Sequence, residues 1–268
     1  MHDIFHPLLG FKIFAKHYYL ACQMIKRNIT LRYKGSVLGI AWSFANPMLM
    51  LAVYSIVFTY IFKARATDPT IPYAIFMFAG MSTYNIFRET VSTSCNIIYS
   101  NPPYVKKIIF PLEIFPMIQA LTCLVFGIIW YILLFLGLII FTNKISWSVF
   151  YLPLILIPLV LFSTGLAFIT SSVSVFLRDL VQVVNVVLQA LFFMTPICYS
   201  MQMLPPRAQA LLKINPMALI VEETRNILLY GNSPSWKNLG IMFCISLIIF
   251  HLGLCWFRFV KKGFANAM

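Results

Sequence analysis

The sequence contains very few carboxylates, and charged residues of either sign are scarce. Only 10% of the 268 residues are charged, with 7 Asp and Glu against 20 Lys and Arg, whereas soluble domains carry about 25%. Hydrophobic residues make up 61% of the chain, and the mean hydropathy is +0.87. A soluble core could not bury this much apolar surface, so lipid must solvate most of it. The chain is therefore predicted to be an integral membrane protein.

Motifs for nucleotide hydrolysis, metal binding and nucleophilic catalysis are also missing. No Gly-Lys dipeptide occurs, which excludes a phosphate-binding G-x-x-x-x-G-K-[ST] loop. The four histidines and six cysteines lie singly, without the spacing of metal ligands or a C-x-x-C pair. The few acidic residues form no membrane-buried relay of the kind that ion-coupled pumps use. We therefore predict no catalytic residue, no metal and no bound cofactor, so transport would have to be powered from outside the chain.

Six apolar runs are predicted to cross the membrane as helices. An α-helix needs about 20 residues to cross a hydrocarbon layer about 30 Å thick, and the first such run has no charge from Ser36 to Phe62. The predicted spans are 36–62, 72–100, 114–142, 147–177, 180–199 and 239–257. The predicted fold class is an all-α polytopic membrane protein with a single transmembrane domain over residues 1–268.

Shorter amphipathic segments are predicted between and before these spans. Residues 11–30 have apolar and basic residues on opposite sides of a helix, which is typical of a helix lying at the membrane interface. A short helix is predicted at 104–109, in the proline-rich loop between the second and third spans. Residues 206–230 are predicted to form two helices of a re-entrant hairpin, because Asn215 followed by Pro216 is typical of a helix start.

The distribution of cations predicts the orientation. One side of the membrane would carry Lys12, Lys16, Lys26, Arg27, Arg32, Lys34, Lys106, Lys107, Arg178, Arg258, Lys261 and Lys262. The other would carry Lys63, Arg65, Lys144, Arg207, Lys213, Arg225 and Lys237. The larger group marks the cytoplasmic side, so both termini are predicted to be cytoplasmic and the hairpin periplasmic. Since the net charge of +13 is concentrated at span ends, binding to nucleic acid is not expected.

Arg88 and Glu89 interrupt the second predicted span. Ionisable residues at this depth are costly in lipid, so they should face the protein interior, a watery cavity or the headgroup layer. One interpretation is a contact to an anionic group of a substrate. The other is snorkelling, or an ion pair that locks neighbouring helices. The sequence leaves both open.

An ordered set of segments resembles the membrane subunits of bacterial ABC exporters for polysaccharides. These segments are RYKGSVLGIAWSFANPMLMLAVY (32–54), NPPYVKKIIFPLE (101–113), VFLRDL (175–180) and INPMALIVEETRNIL (214–228). The chain is most similar to O-antigen permeases of the Wzm type, with capsule (KpsM) and teichoic acid (TagG) exporters as relatives. The resemblance covers essentially the whole chain.

The resemblance implies a homodimer in the bacterial inner membrane, joined by two copies of a cytoplasmic ATPase that binds ATP and magnesium. The pore would lie between protomers, lined largely by the first and fifth spans. Its substrate would be O-antigen polysaccharide on an undecaprenyl pyrophosphate lipid, exported to the periplasm for lipopolysaccharide assembly. The implied ATPase contacts are Tyr104, Lys106, Lys107, Lys12 and Lys16. The implied periplasmic gate residues are Pro205, Pro206, Asn215 and Pro216.

Two further groups of candidates follow from the chemistry of such a substrate. Sugars stack weakly on flat aromatic faces, so a path for them should be aromatic and largely uncharged. The candidates for this path are Tyr54, Phe58, Tyr84, Phe87, Phe192, Phe193 and Tyr199. A pyrophosphate needs cations, and arginine can contact it with two parallel hydrogen bonds. The candidates for this contact are Arg27, Arg32, Lys34 and Arg88.

Other functions remain open at the level of the sequence. The chain could serve a capsule or teichoic acid exporter, or a drug or lipid efflux permease of the same architecture. A membrane-embedded enzyme or scaffold of glycan assembly is a hypothesis from another class.

Overall fold

The computed structural model describes residues 9–61, 68–105, 110–142, 146–212 and 214–264, and every regular element in these ranges is helical. The α-helices are α1 (Leu9–Lys16), α2 (Tyr18–Arg32), α3 (Trp42–Ser55), α4 (Tyr73–Ser94), α5 (Pro102–Val105), α6 (Ile114–Thr142), α7 (Leu152–Ser174), α8 (Leu180–Met194), α9 (Pro206–Leu212), α10 (Pro216–Leu228) and α11 (Trp236–Val260). A π-helical segment, Ile56–Ile61, continues α3. The all-α prediction is confirmed for these ranges.

Four helical segments are long and apolar enough to cross a membrane. They are Gly39–Thr59, Ile114–Thr142, Trp147–Ser174 and Trp236–Gly263, and they contain α3, α6, α7 and α11. The 22 residues of α4 would reach about 33 Å, but Arg88 and Glu89 lower its hydropathy. The 15 residues of α8 would reach only about 22 Å. The role of α4 and α8 as spans therefore stays a prediction.

The predicted interface helix is divided into α1 and α2 by a turn at His17. Its protein-facing side buries Ala21 and Met24, which pack into the same apolar cluster as the start of α6. The aromatic side chain of Phe11 stacks on Phe250 of α11 at 5.8 Å between ring centroids. Tyr18 is 60% exposed. The contacts that hold this helix pair to the bundle therefore include both the buried residues of α2 and the ring of Phe11.

The two helices α7 and α11 approach each other through a pair of glycines. A Cβ atom added to Gly253 would lie 2.2 Å from the carbonyl oxygen of Gly165. Any larger residue at position 253 would push the two backbones apart. Small residues at such crossings are typical of helix packing in membranes, where van der Waals contact supplies much of the attraction.

Helix α4 lies at the centre of the bundle and packs against α6, α7 and α10. Almost all of its length is buried, including residues such as Phe78, Tyr84 and Phe87. One stripe along its last turns is not buried. This stripe consists of Asn85, Arg88, Glu89, Ser92 and Thr93, which share one helical face at spacings of three and four residues. The face is polar, so it must border water or other polar groups.

The predicted hairpin consists of two helices, α9 and α10, joined around Asn215. The Asn215 side-chain oxygen accepts a hydrogen bond from the Met217 backbone at 3.0 Å, and Pro216 is the first residue of α10. This is the helix start that the sequence predicted. Helix α10 packs deeply against α4 and α7, whereas α9 buries no residue. How deep the hairpin lies in the membrane stays a prediction.

The fully buried side chain of Arg225 joins three parts of the bundle. Its guanidinium donates to the carbonyl oxygens of Pro196 and Ile197, which follow α8, and to that of Phe76 in α4 at 3.2 Å. It also lies 3.7 Å above the Phe76 ring. The orientation count placed Arg225 on the outer side of the membrane, and that side stays a prediction; the structure shows that its charge is enclosed by protein.

Two other buried charges lie at opposite ends of α11. Glu223 of α10 accepts hydrogen bonds from the Ser235 backbone at 3.1 Å and the Asn238 amide at 2.8 Å, at the first turn of α11. At the last turn of α11, the Glu113 carboxylate forms ion pairs with the Lys261 ammonium at 2.6 Å and with the Arg258 guanidinium at 3.6 Å. A carboxylate at a helix start and cations at a helix end both interact favourably with the helix dipole. These contacts connect α11 to α10 at one end and to α6 at the other.

We expect replacement of Arg225 with methionine to destabilise the protein by at least about 3 kcal/mol. The buried carbonyl groups of Pro196 and Ile197 would lose these donors and that of Phe76 would lose its second one, and each unsatisfied group costs about 1–3 kcal/mol. Unfolding of the purified protein in mixed micelles, followed by circular dichroism against added dodecyl sulfate, measures the change. The control is Arg207→Met, because Arg207 is exposed on α9, and we expect less than about 0.5 kcal/mol there. Equal losses in both variants would contradict the role assigned to Arg225.

Candidate functional site

A cavity of about 530 Å³ lies between α3, α4, α6 and α8. The polar stripe of α4 forms one wall. Helix α3 contributes Asn46, Pro47 and Tyr54, and α8 contributes residues from Asn185 to Phe193. Trp130 of α6 also lines it. The cavity therefore lies where the polar face of the central helix meets the helices at the edge of the bundle.

Aromatic side chains form much of the remaining wall, and Phe192 is central among them. Its ring stacks on Tyr54 at 6.4 Å between centroids and meets Tyr84 edge-on at 5.5 Å. Phe193 contacts it edge-on at 5.4 Å. The Tyr84 hydroxyl donates to the backbone carbonyl of Leu188, which fixes α8 against α4. The structure thus brings together Tyr54, Tyr84, Phe192 and Phe193 from the predicted aromatic path.

The other three predicted path residues do not line this cavity. Phe87 is buried in the core and stacks on Phe162 of α7 at 5.5 Å, because it lies on α4 outside the polar stripe. Phe58 packs against Tyr73 at 5.9 Å. The hydroxyl of Tyr199 donates to the carbonyl of Phe193 at 3.0 Å. These contacts are those of packing residues.

The four predicted phosphate-binding cations occupy different environments. Arg88 and Arg32 line the cavity. Arg27 lies elsewhere and donates to the Asn101 side chain at 3.0 Å, which connects α2 to the loop before α5. Lys34 is exposed in the turn that follows α2 and does not line the cavity. Of the four, Arg32 and Arg88 are the two that could share one ligand.

Adjacent on α4, Arg88 and Glu89 have different surroundings, and a contact of Arg88 with a substrate stays a prediction. Glu89 forms an ion pair with Arg32 at the end of α2, which is the pair that locks neighbouring helices. The Arg32 guanidinium also lies 4.0 Å above the ring of Phe126 on α6. Arg88 is exposed and lines the cavity, so its position suits contact with an anionic ligand.

Several uncharged polar residues in the cavity were not selected as site residues from the sequence. Among them are Asn85, Ser92, Asn185 and Gln189. The Ser92 hydroxyl donates to the Asn185 side-chain oxygen at 2.6 Å, so α4 and α8 are joined by a polar contact inside the cavity. The signal that could have identified them is their spacing. Asn85, Arg88, Glu89 and Ser92 recur at three and four residues, as do Asn185, Gln189 and Phe192.

The predicted ATPase contacts are only partly within the described ranges. Tyr104 lies in α5, which begins two residues before the predicted helix, and its ring packs on Phe110 at 4.7 Å and Phe115 at 5.8 Å. Lys106 and Lys107 lie outside the described residues. Lys12 and Lys16 are exposed on α1. The described surface therefore offers α1 cations to a partner, while the aromatic ring of Tyr104 holds α5 to the bundle.

The predicted gate residues lie around α9 and at the start of α10. Pro205 and Pro206 are exposed, and Pro206 begins α9. The Asn215 amide donates to the Thr195 hydroxyl at 3.2 Å, in addition to capping α10 with its oxygen. This contact connects the first turn of α10 to the residue that follows α8, next to the aromatic end of the cavity. A movement of the hairpin would therefore also displace the end of α8.

The outer faces of α3 and α8 expose apolar side chains. On α3 they are Met48, Leu49 and Val53. On α8 they are Val183, Val186, Val187 and Met194. Such faces must be covered by lipid or by another protein chain.

The cavity combines aromatic faces, amide and hydroxyl groups and two guanidiniums. Aromatic faces contact sugars or other apolar surfaces, and guanidiniums bind phosphates or carboxylates. A ligand that fits this lining has a ring system next to an anionic group. The described residues contain no group of three or more His, Cys, Asp or Glu side chains that could hold a metal ion.

Comparison with known proteins gives a consistent result. The family model described as "ABC-2 type transporter" matches residues 19–229. An O-antigen export system permease protein RfbA from Klebsiella pneumoniae is 28% identical over 246 residues, which cover 90% of this chain and 92% of the relative. A protein of the same name from Myxococcus xanthus is 26% identical over 252 residues, covering 93% and 95%.

A polysialic acid transport protein KpsM from Escherichia coli is 23% identical over 235 residues, covering 87% of this chain and 90% of the relative. These matches extend over nearly the whole of each chain, and the family model alone covers well over half of this one. The resemblance to polysaccharide exporters is thereby confirmed at the level of the family. With its apolar helices and this match, the chain is a multi-pass membrane protein that belongs to the ABC-2 type transporter family.

Proposed function

We propose that the protein is the channel-forming subunit of an ATP-driven exporter that moves undecaprenyl-pyrophosphate-linked O-antigen from the cytoplasm to the periplasm. The observation that carries the proposal is the cavity, where Arg32 and Arg88 lie beside the aromatic group of Tyr54, Tyr84 and Phe192. A glycan on a lipid pyrophosphate has both features that this lining suits, a series of sugar rings and an anionic group. The names of the RfbA relatives support the same class of substrate.

A separate ATPase subunit supplies the energy in this proposal. The chain has no phosphate-binding loop, and ABC-2 permeases work with an ABC ATPase. Two copies of that subunit, with their ATP and magnesium, would dock on the cytoplasmic side. There they would meet the basic helix α1 and the loop that contains α5.

The working unit would be a homodimer of permease chains. Helices α3 and α8 both line the cavity and also expose apolar faces. A second copy packed against these faces would place the two cavities on either side of one path. The excess of cations at the N-terminal flank supports cytoplasmic termini and export outward from that side. In that orientation α9 and α10 lie at the periplasmic mouth.

The other functions differ in what accumulates when the protein is absent. A capsule or teichoic acid exporter would leave a different glycan inside the cell. A drug or lipid efflux permease would change drug sensitivity and leave lipid-linked glycan unaltered. An enzyme or scaffold of assembly would leave no finished product at all.

A deletion strain tests the proposed function directly. We expect finished undecaprenyl-linked glycan to accumulate on the cytoplasmic side, with loss of surface O-antigen, and both should be restored by the wild-type chain. Lipid extraction followed by mass spectrometry, with lectin labelling of intact and permeabilised cells, measures both quantities. Unchanged surface glycan, or absence of the finished product, would refute the proposal.

Replacement of Phe192 tests the aromatic wall. We expect Phe192→Leu to slow export roughly 3- to 10-fold, because an aromatic contact contributes about 0.5–1.5 kcal/mol beyond its buried area. The measurement is the rate at which surface glycan reappears after induction in the deletion strain. The control is Phe141→Leu, since Phe141 is 66% exposed on α6 and does not line the cavity. Equal rates for the two variants would count against a path along α8.

Charge reversal of Lys106 and Lys107 tests the docking of the ATPase. The double change to glutamate should weaken the complex about tenfold, because exposed ion pairs contribute up to about 1 kcal/mol each. Co-purification with the tagged ATPase, together with ATP hydrolysis by the complex, measures docking. The control reverses Arg207 and Lys237, two exposed cations on the predicted periplasmic side. Full complex yield after reversal of Lys106 and Lys107 would overturn the assignment.

A further inference from the structure

The ion pair between Arg32 and Glu89 lies at the cavity and not in the interior of the bundle. Both residues line the cavity, and their side chains are 34% and 17% exposed. The Arg32 guanidinium is held between the Glu89 carboxylate and the Phe126 ring, 4.0 Å away. A ligand in the cavity would therefore meet this pair directly.

The charges that line the cavity do not balance. Arg32 and Arg88 are cationic and Glu89 is the carboxylate, which leaves one excess positive charge. Among the described ion pairs none includes Arg88. A diphosphate carries at least two negative charges and is bound best by two guanidiniums. With Glu89 in place, only one of the two arginines is available to it.

Uncharged donors complete the site on the α4 and α8 side. The Asn185 oxygen accepts from Ser92 at 2.6 Å, and its amide nitrogen is not used in that bond. Asn85 lies three residues, about one turn, before Arg88 on the same face of α4. These amides can donate to phosphate oxygens without adding charge. They favour binding of the anion but cannot replace the second guanidinium.

We propose that Glu89 is an exchangeable counter-anion of Arg32, and that the diphosphate of the lipid carrier displaces it during binding. This inference rests on the proposed function and deepens it. While the site is empty, Glu89 neutralises Arg32. When the diphosphate binds, Arg32 and Arg88 both contact it, and Glu89 is left beside a second anion. The repulsion keeps the complex weak enough for the substrate to leave.

The exchange also acts on α2, because Arg32 is the last residue of that helix. Two other contacts hold α2 independently, the Arg27 hydrogen bond to Asn101 and the buried residues Ala21 and Met24. The contact of Arg32 with Glu89 lies at the C-terminal end of α2. From this end, residues 33–41 connect α2 to α3, which forms one wall of the cavity. Displacement of Glu89 therefore releases the end of α2 from α4. In this way, binding of a ligand in the cavity changes the contacts of the basic helices that are predicted to face the ATPase.

The test uses the purified chain with its ATPase in nanodiscs of phosphatidylethanolamine, with undecaprenyl diphosphate and undecaprenyl monophosphate as probes. We expect Glu89→Gln to bind the diphosphate at least about tenfold more tightly, because a like charge within a few ångströms is removed. Arg32→Gln should bind it more weakly. Glu89→Asp keeps the charge and disturbs the fold least, so its affinity for the diphosphate should stay close to that of wild type.

The matched control is Glu113→Gln, which removes another buried carboxylate from an ion pair, with Lys261 and Arg258, outside the cavity. Its diphosphate affinity should equal that of wild type. Hydrogen exchange supplies the second readout. In wild type the amides at the end of α2 should exchange faster when the diphosphate is present, and in Glu89→Gln they should exchange fast with or without it.

Equal or weaker diphosphate binding by Glu89→Gln would overturn the inference, and so would exchange in α2 that does not respond to the probe in wild type. If either result is found while the deletion strain still traps glycan inside the cell, the role of Glu89 is refuted and the proposed function is not. Surface glycan unaffected by deletion would instead refute the proposed function. Tighter binding by Glu89→Gln together with slower release of glycan in cells supports the inference.

Discussion

Neither lipid nor an apolar core offers hydrogen bonds, so a charged group enclosed in this bundle must find its partner within the protein. Three buried charged residues of the described structure follow this constraint. Arg225 is satisfied by three backbone carbonyls, Glu223 by the first turn of α11, and Glu113 by Lys261. Each of these contacts joins two or more helices. The scarce charges of the sequence therefore act as the specific connections of a bundle whose apolar surfaces are otherwise much alike.

The same constraint explains the position of the cavity. Helix α4 is buried on nearly all sides, yet it carries a polar stripe from Asn85 to Thr93. That stripe cannot face lipid or the apolar core, so the neighbouring helices α3, α6 and α8 leave a space along it. The aromatic residues of α3 and α8 close the space without filling it. The cavity is thus a consequence of placing a polar face on the central helix.

The buried Arg225 and the cavity are linked through α8. Arg225 holds the carbonyls of Pro196 and Ile197 just beyond the end of α8, and Asn215 holds Thr195. The hairpin that the sequence placed at the periplasmic mouth is therefore attached to the helix that carries Phe192. At the other end, Arg32 attaches α2 to α4. Both ends of the cavity wall are therefore connected to other elements of the fold, the hairpin at one end and α2 at the other.

Much of this architecture is readable from local patterns. The apolar run at 114–142 coincides with α6, and the Asn215-Pro216 start of α10 follows from its two residues alone, because length, hydropathy and capping are properties of short segments. The aromatic and basic composition of the site was also evident. Phe87 and Phe192 could not be told apart, since both are aromatic residues in apolar runs. The burial of Arg225 was not predicted, although its spacing from Met217, Val221 and Leu228 puts it on the buried face.

The sequence by itself determined that the chain is an all-helical membrane protein of a polysaccharide-exporter type, because hydropathy, motif order and the absence of catalytic motifs are linear properties. The tertiary structure decided which candidates meet. It paired Arg32 with Glu89, left Arg88 in the cavity and placed Phe87 in the core. These choices depend on how each helix is rotated against its neighbours. Adjacent residues on a helix differ in direction by about 100°, so the packing of whole helices, and not the local sequence, assigns each side chain to cavity, core or lipid.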